Sequence, residues 1–150
     1  MVEDILQIAI ASDHAGYELK EKIRKKYGKL GYIFKDYGTQ STESVDYPDM
    51  IHPLASDIDQ GRILRGIIIC GSGNGVAMTA NKYPNVRAAL CWKEEIARYA
   101  RLHNDANILS LPARFISEHL AFEIIDIFLL TGFENGRHGI RVKKIPPQKP

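Results

Sequence analysis

Residues 66–75 read Gly66-Ile67-Ile68-Ile69-Cys70-Gly71-Ser72-Gly73-Asn74-Gly75. Three successive isoleucines leave no polar face, so Gly66–Cys70 reads as a strand covered on both sides. Such strands belong to parallel sheets, whose crossovers bring helices to both faces. The turn that follows has three glycines in five residues, and a helical stretch then runs to about Lys82. A backbone this open, between a buried strand and a helix, lets N–H groups approach negative charge.

The same alternation extends in both directions. Residues 5–11 are apolar and β-branched and read as the first strand; residues 16–29 read as a helix that Gly31 ends. Residues 32–37 form the second strand, followed by a polar loop over 38–46 and a helix over 48–58, with Pro48 near its first turn. Residues 87–91 are the fourth strand. Residues 92–103 are a helix with Trp92, Ile96, Tyr99, Ala100 and His103 on one face. Residues 107–111 are the fifth strand. In the last long helix, 117–130, Ala121, Ile124, Ile125 and Phe128 follow the i, i+3, i+4, i+7 rule. The expected fold is a single α/β domain over residues 1–150, a Rossmann-like three-layer α/β/α sandwich around a doubly wound, five-stranded parallel sheet. Ligands of such folds sit at the C-terminal ends of the strands.

Composition agrees. The chain has 150 residues, 45% hydrophobic and 25% charged, which is long enough for a core without disulfide or metal staples. Twenty basic and eighteen acidic side chains leave a net charge of +2, with no basic stripe for nucleic acid or a membrane surface. Two cysteines make no disulfide framework and suit a reducing compartment. Residues 1–4 carry two acids and no basic region, so they do not read as a secretory signal, and no apolar run approaches bilayer length. A soluble, cytoplasmic protein is expected.

The polar residues that follow the strands carry the chemistry. They are Ser12-Asp13-His14-Ala15-Gly16, the glycine loop, and His103-Asn104-Asp105. Taken singly, Asp13 reads equally as a helix N-cap, His103 as a histidine favoured by a helix C-terminus, and Cys70 as a buried small hydrophobe. The glycine loop is more specific, but it is no nucleotide cradle. Val76 stands where a Walker loop and a dinucleotide fingerprint need glycine, and where a cysteine phosphatase needs arginine. What remains is an oxyanion site beside Cys70, whose thiolate a helix N-terminus would favour. Near the end of the chain Arg137 and Arg141 lie four residues apart, matched to a phosphate or carboxylate, although a solvated basic tail reads equally from position. The five histidines are scattered and neither cysteine lies in a C-x-x-C pair, so no metal and no cofactor is expected.

Taken in order, these segments resemble the type B ribose-5-phosphate isomerases. That family also holds galactose-6-phosphate isomerase subunits and allose-6-phosphate isomerase. The matching segments are Ser12 to Gly16, Asp46-Tyr47-Pro48, Ile69 to Gly75, Ala80-Asn81-Lys82, Arg87-Ala88, His103 to Asn107, and Gly136-Arg137-His138 with Arg141. The resemblance implies strand order 2-1-3-5-4 in place of the generic 2-1-3-4-5. It implies an aldose–ketose isomerase acting through ring opening and an enediolate. His103 would assist ring opening, Asp13 would meet sugar hydroxyls, and Cys70 would move the proton between C2 and C1 with Ser72 assisting. Amides of Gly71, Gly73, Asn74 and Gly75, with the Asn104 side chain, would hold the enediolate; His14, Arg114, Arg137 and Arg141 would hold the phosphate. Tyr47 falls among the substrate-binding positions. One subgroup of the family uses the cysteine as base and the other a glutamate after the glycine loop. Cys70 and Val76 place this chain with the first. Cys91 is a bystander.

The resemblance further implies a homodimer, in some members a tetramer, with sites shared between subunits. Residues 132–150 would then be a tail lying on the partner. Two other functions stay open: an isomerase of a six-carbon sugar phosphate, and a non-catalytic sugar-phosphate-binding regulatory domain.

Overall fold

The computed structural model describes residues 6–149. The expected opening of strand one at Ile5, and the reading of residues 1–4, fall outside them. Five parallel strands run in the order β2-β1-β3-β5-β4. They are β1 (Gln7–Ser12), β2 (Ile33–Asp36), β3 (Gly66–Cys70), β4 (Ala88–Leu90) and β5 (Ile108–Pro112). The helices between and after them are α1 (Tyr17–Lys29), α2 (Tyr47–Asp59), α3 (Asn74–Ala80), α4 (Glu94–Leu102), α5 (Glu118–Leu130) and α6 (Arg137–Val142). The strand order is the one that the family resemblance implies.

Period-two alternation builds two cores from one sheet. Ile8, Ile10, Ile67 and Ile69 face one side, against Ile23 and Tyr27 of α1, Ala97 and Ala100 of α4, and Ile124, Ile125 and Phe128 of α5. Ala9, Ala11, Ile68 and Cys70 face the other, against Ile51, Leu54 and Ile58 of α2 and Val76 and Ala80 of α3. Ile67, Ile68 and Ile69 are wholly buried, as the continuous apolar run requires. Each such side chain stabilises the fold by roughly 2 kcal/mol of removed apolar surface. The structure is thus a three-layer α/β/α sandwich.

The β1–α1 connection is drawn tight against β3. A Cβ on Gly16 would sit 2.7 Å from Ile69 Cγ2 and 2.9 Å from the Ile69 carbonyl oxygen. Only glycine lets the α1 N-terminus approach so closely. On the far side of α1, Lys20 is fully buried and meets the Asp36 carboxylate at 2.7 Å, tying the helix to the end of β2. Burial alone would raise the Asp36 pKa, but Lys20 and the Gly38 amide hold it below the usual carboxylate value.

Several expectations change in detail. The α4 face that enters the core is Ala97, Ala100 and Arg101, with Ile96 beside it. Trp92 and Tyr99, expected on one face with Ile96 and Ala100, are about half exposed. Trp92 precedes the helix, which begins at Glu94, so the helical spacing does not carry it. The helix after the glycine loop ends at Ala80, before Lys82. Residues 131–149 are more than a basic tail, since α6 forms within them. Glu134 N–H donates to the Leu102 carbonyl at 3.0 Å, and buried Arg101 donates to Thr131 O at 3.1 Å, so this segment packs on its own α4.

Candidate active site

The glycine loop lies at the C-terminal edge of the sheet, where β3 hands over to α3. Cys70 ends the strand facing the α2–α3 side and is 5% exposed. Its Sγ accepts a hydrogen bond from Gly73 N–H at 3.1 Å. Gly73 has φ +74°, and a Cβ there would lie 2.5 Å from Leu90 Cδ1. This left-handed turn aims the amide back at the sulfur, an arrangement that favours negative charge there. Ser72 Oγ accepts from Asn74 N–H at 3.3 Å. Ser110 donates to the Gly73 carbonyl at 2.7 Å and fixes the turn from β5.

Neighbouring loops close around this turn. Arg114 follows β5, and its Nη1 lies 3.2 Å from where a Gly71 Cβ would be. The Tyr47 ring, at the start of α2, lies against Gly75 in the same way, its hydroxyl 2.7 Å from that position. From β1, Asp13 donates its N–H to the Ile69 carbonyl at 3.1 Å and accepts from Gly16 N–H on Oδ1 at 3.0 Å. Asp13 therefore closes the turn before α1, while one carboxylate oxygen keeps its lone pairs. Next to it, His14 Nδ1 accepts from Val45 N–H at 3.3 Å. In the neutral ring the proton is then on Nε2, where it can be donated to an anion.

A second cluster forms where α4 meets the segment after α5. His103 follows the last turn of α4, near buried Arg101, which bonds Asp105 at 2.9 Å and the Ala106 carbonyl at 2.7 Å. The His103 ring stacks on His138 with centroids 4.1 Å apart and planes within 10°, and lies 4.8 Å from the Tyr99 ring. Glu134 Oε2 is 3.8 Å from His103 Nε2. Burial holds the His138 pKa below the usual histidine value; His103, Arg137 and Arg141 push the same way, and Glu134 opposes them. Arg137 and Arg141 are on the exposed side of α6.

His103, Glu134 and His138 offer donor atoms within 4.8 Å of one another, so the histidines are less scattered than the sequence suggested. Two imidazoles and a carboxylate are a transition-metal donor set. The two rings, however, lie in nearly parallel planes. Their in-plane lone pairs cannot converge on one ion without rotation, so this geometry suits stacking over chelation.

Of the residues expected at the site, the fold gathers Cys70, Ser72, Gly71, Gly73, Asn74, Gly75, Asp13, His14, Tyr47 and Arg114 at one edge. His103, Arg137 and Arg141 belong to the second cluster. Among the described residues, no hydrogen bond, ion pair or ring contact joins the two. Asn104 is exposed and lines a groove of about 400 Å³ beside Tyr83, Val86 and Ile145. Glu134 and His138 went unassigned in the sequence because β5 and α5 separate them from His103. Cys91 is buried, donates to the Ala89 carbonyl at 3.6 Å, and has its pKa pushed up to about 12 by burial. It cannot serve as a thiolate near neutrality.

The fold and its strand-end residues define the class: a doubly wound α/β protein with a thiol beside a glycine-rich turn at the C-terminal edge of the sheet. The ribose/galactose isomerase family model matches residues 8–145, and the chain belongs to that family. A ribose 5-phosphate isomerase from Thermotoga maritima superposes with TM-score 0.91 at 49% identity, over 94% of this chain and 97% of that one. The Mycoplasma genitalium ribose-5-phosphate isomerase B, solved with bound ribulose-5-phosphate, gives 0.89 at 40% identity over 93% of each chain. Ribose-5-phosphate isomerase B of Escherichia coli is 37% identical, again over 93% of each.

Proposed function

We propose that this protein interconverts ribose 5-phosphate and ribulose 5-phosphate, with Cys70 as the base. The observation that carries this reading is the Gly73 N–H directed at the Cys70 sulfur, in a glycine-rich turn at the C-terminal edge of the sheet. The furanose must open first. The C1–O4 bond breaks, O4 gains a proton and the C1 hydroxyl loses one, with His103 as the exchanging group. The Cys70 thiolate then takes the C2 proton, and negative charge grows on the C1 and C2 oxygens. Loop amides stabilise that enediolate in a water-poor site. Cys70 returns the proton to C1, while the Ser72 hydroxyl and Asp13 carboxylate hold the oxygens whose protons exchange. The one N–H aimed at the sulfur holds it in place at the end of β3.

His14, Arg114, Arg137 and Arg141 hold the phosphate; Tyr47 lines the sugar, and the Asn104 side chain adds an amide to the enediolate. Cys70 and His103 lie in separate clusters of one chain, which supports a site completed by a second copy. Exposed Arg137, Ile140 and Arg141 on the outer side of α6, and half-exposed Trp92 and Tyr99 on α4 and its approach, supply surface for that partner. We read the working unit as a homodimer, acting in the cytoplasm without a metal. A coupled assay on ribose 5-phosphate in the presence of a chelator tests this. Turnover that survives chelation agrees; turnover only of six-carbon phosphates, or none, overturns it.

A further inference from the structure

His138 has no part in the reaction as described so far, yet it is buried, flat against His103, and bracketed by Arg137 and Arg141. We propose that His138 is a positioning residue for ring opening, holding the His103 imidazole by stacking and leaving the exchanging proton to it. This rests on the assignment of His103 to ring opening.

Three observations carry it. First, the rings are parallel within 10° at 4.1 Å, and Tyr99, four residues back on α4, flanks His103 at 4.8 Å. A half-exposed histidine at a helix end would otherwise sample several rotamers. Two stacked imidazolium rings would repel strongly at this separation, so only one carries charge. Second, every charged group facing His138 except Glu134 is basic: His103 when protonated, and Arg137 and Arg141 from α6. Burial first, and then these neighbours, disfavour charge on the His138 ring. Third, Glu134 Oε2 lies 3.8 Å from His103 Nε2, so a carboxylate stands beside that ring and not against a second cation. A neutral aromatic face against a transient imidazolium further stabilises the charge.

Ribulose 5-phosphate provides a clean separation. Its O5 is phosphorylated, so it cannot close a furanose ring and needs no opening. Exchange of its C1 hydrogen with deuterated water therefore reports Cys70 without His103. His138→Leu, which keeps bulk without a flat ring, should lower kcat for ribose 5-phosphate at least tenfold. C1 exchange from ribulose 5-phosphate should stay within about threefold of wild type. His138→Phe, flat and uncharged, should recover most of the lost turnover and leave the acid limb of its pH profile in place. His103→Asn serves as the reference and should show the same split between the two substrates. Undiminished ribose 5-phosphate turnover in His138→Leu would overturn the proposal. So would equal loss of both readings, which would mean that α6 and its arginines were displaced. If His103→Asn itself keeps full turnover of ribose 5-phosphate, the ring-opening assignment fails instead.

Discussion

At the scale of single residues, the proposed chemistry turns on a sulfur held by one amide. Gly73 N–H reaches Cys70 Sγ at 3.1 Å, while Cys91, equally buried, meets only a carbonyl. Replacing Cys70 with alanine should lower turnover of ribose 5-phosphate by about 10³-fold, the usual scale for a positioned base. Binding of the sugar phosphate, followed by calorimetry, should change little. Cys70→Ser should be nearly as inactive, because an alkoxide is far harder to form than a thiolate. Arg141→Ala should act differently. Losing one guanidinium fork from the phosphate should raise KM by roughly 10-fold and leave kcat within a few-fold, since it removes uniform binding. Steady-state kinetics in both directions separates the two patterns.

At the scale of elements, the glycine loop and the α2 surface each depend on a definable geometry. Gly73→Ala would place a methyl 2.5 Å from Leu90 Cδ1 at φ +74°. It should cost about 2–3 kcal/mol in urea denaturation and lower turnover as the amide leaves the sulfur. On α2, Asp57 accepts from the Tyr37 hydroxyl, from Lys35 at 2.9 Å and from Arg62 at 2.8 Å. These donors, Tyr37 first, hold its pKa down to about 2, against an ordinary 3.8. Because the folded value is depressed, the stabilisation is complete above about pH 4 and is lost as pH falls through 2. Asp57→Asn should flatten the urea midpoint over that window; an unchanged acid limb would contradict the assignment. The strands were legible in the sequence because period two and the isoleucine run leave few alternatives. Their ends were less so: Asn107 reads as strand, yet its side chain bonds Arg87 N–H and Asn85 O, and β5 begins one residue later. The glycine loop was legible as an open turn between a buried strand and a helix because its composition has few other uses. The His103–His138 stack was not, since contact between α4 and α6 is set by how α5 returns along the sheet.

At the scale of the whole molecule, one chain carries a thiol edge on one side and a histidine–arginine cluster on another. Ile140 and the two α6 arginines face outward, as a segment that completes a neighbour's site would. The most direct measurement mixes two inactive variants, Cys70→Ala and His103→Asn, after co-refolding in equal amounts. In a dimer with shared sites, each mixed pair holds one site with both lesions and one with neither. Half of the dimers are mixed, so about a quarter of wild-type ribose 5-phosphate turnover should return. A mixture no more active than its components would contradict a site built from two copies, and turnover by Cys70→Ala alone would contradict the base at its centre.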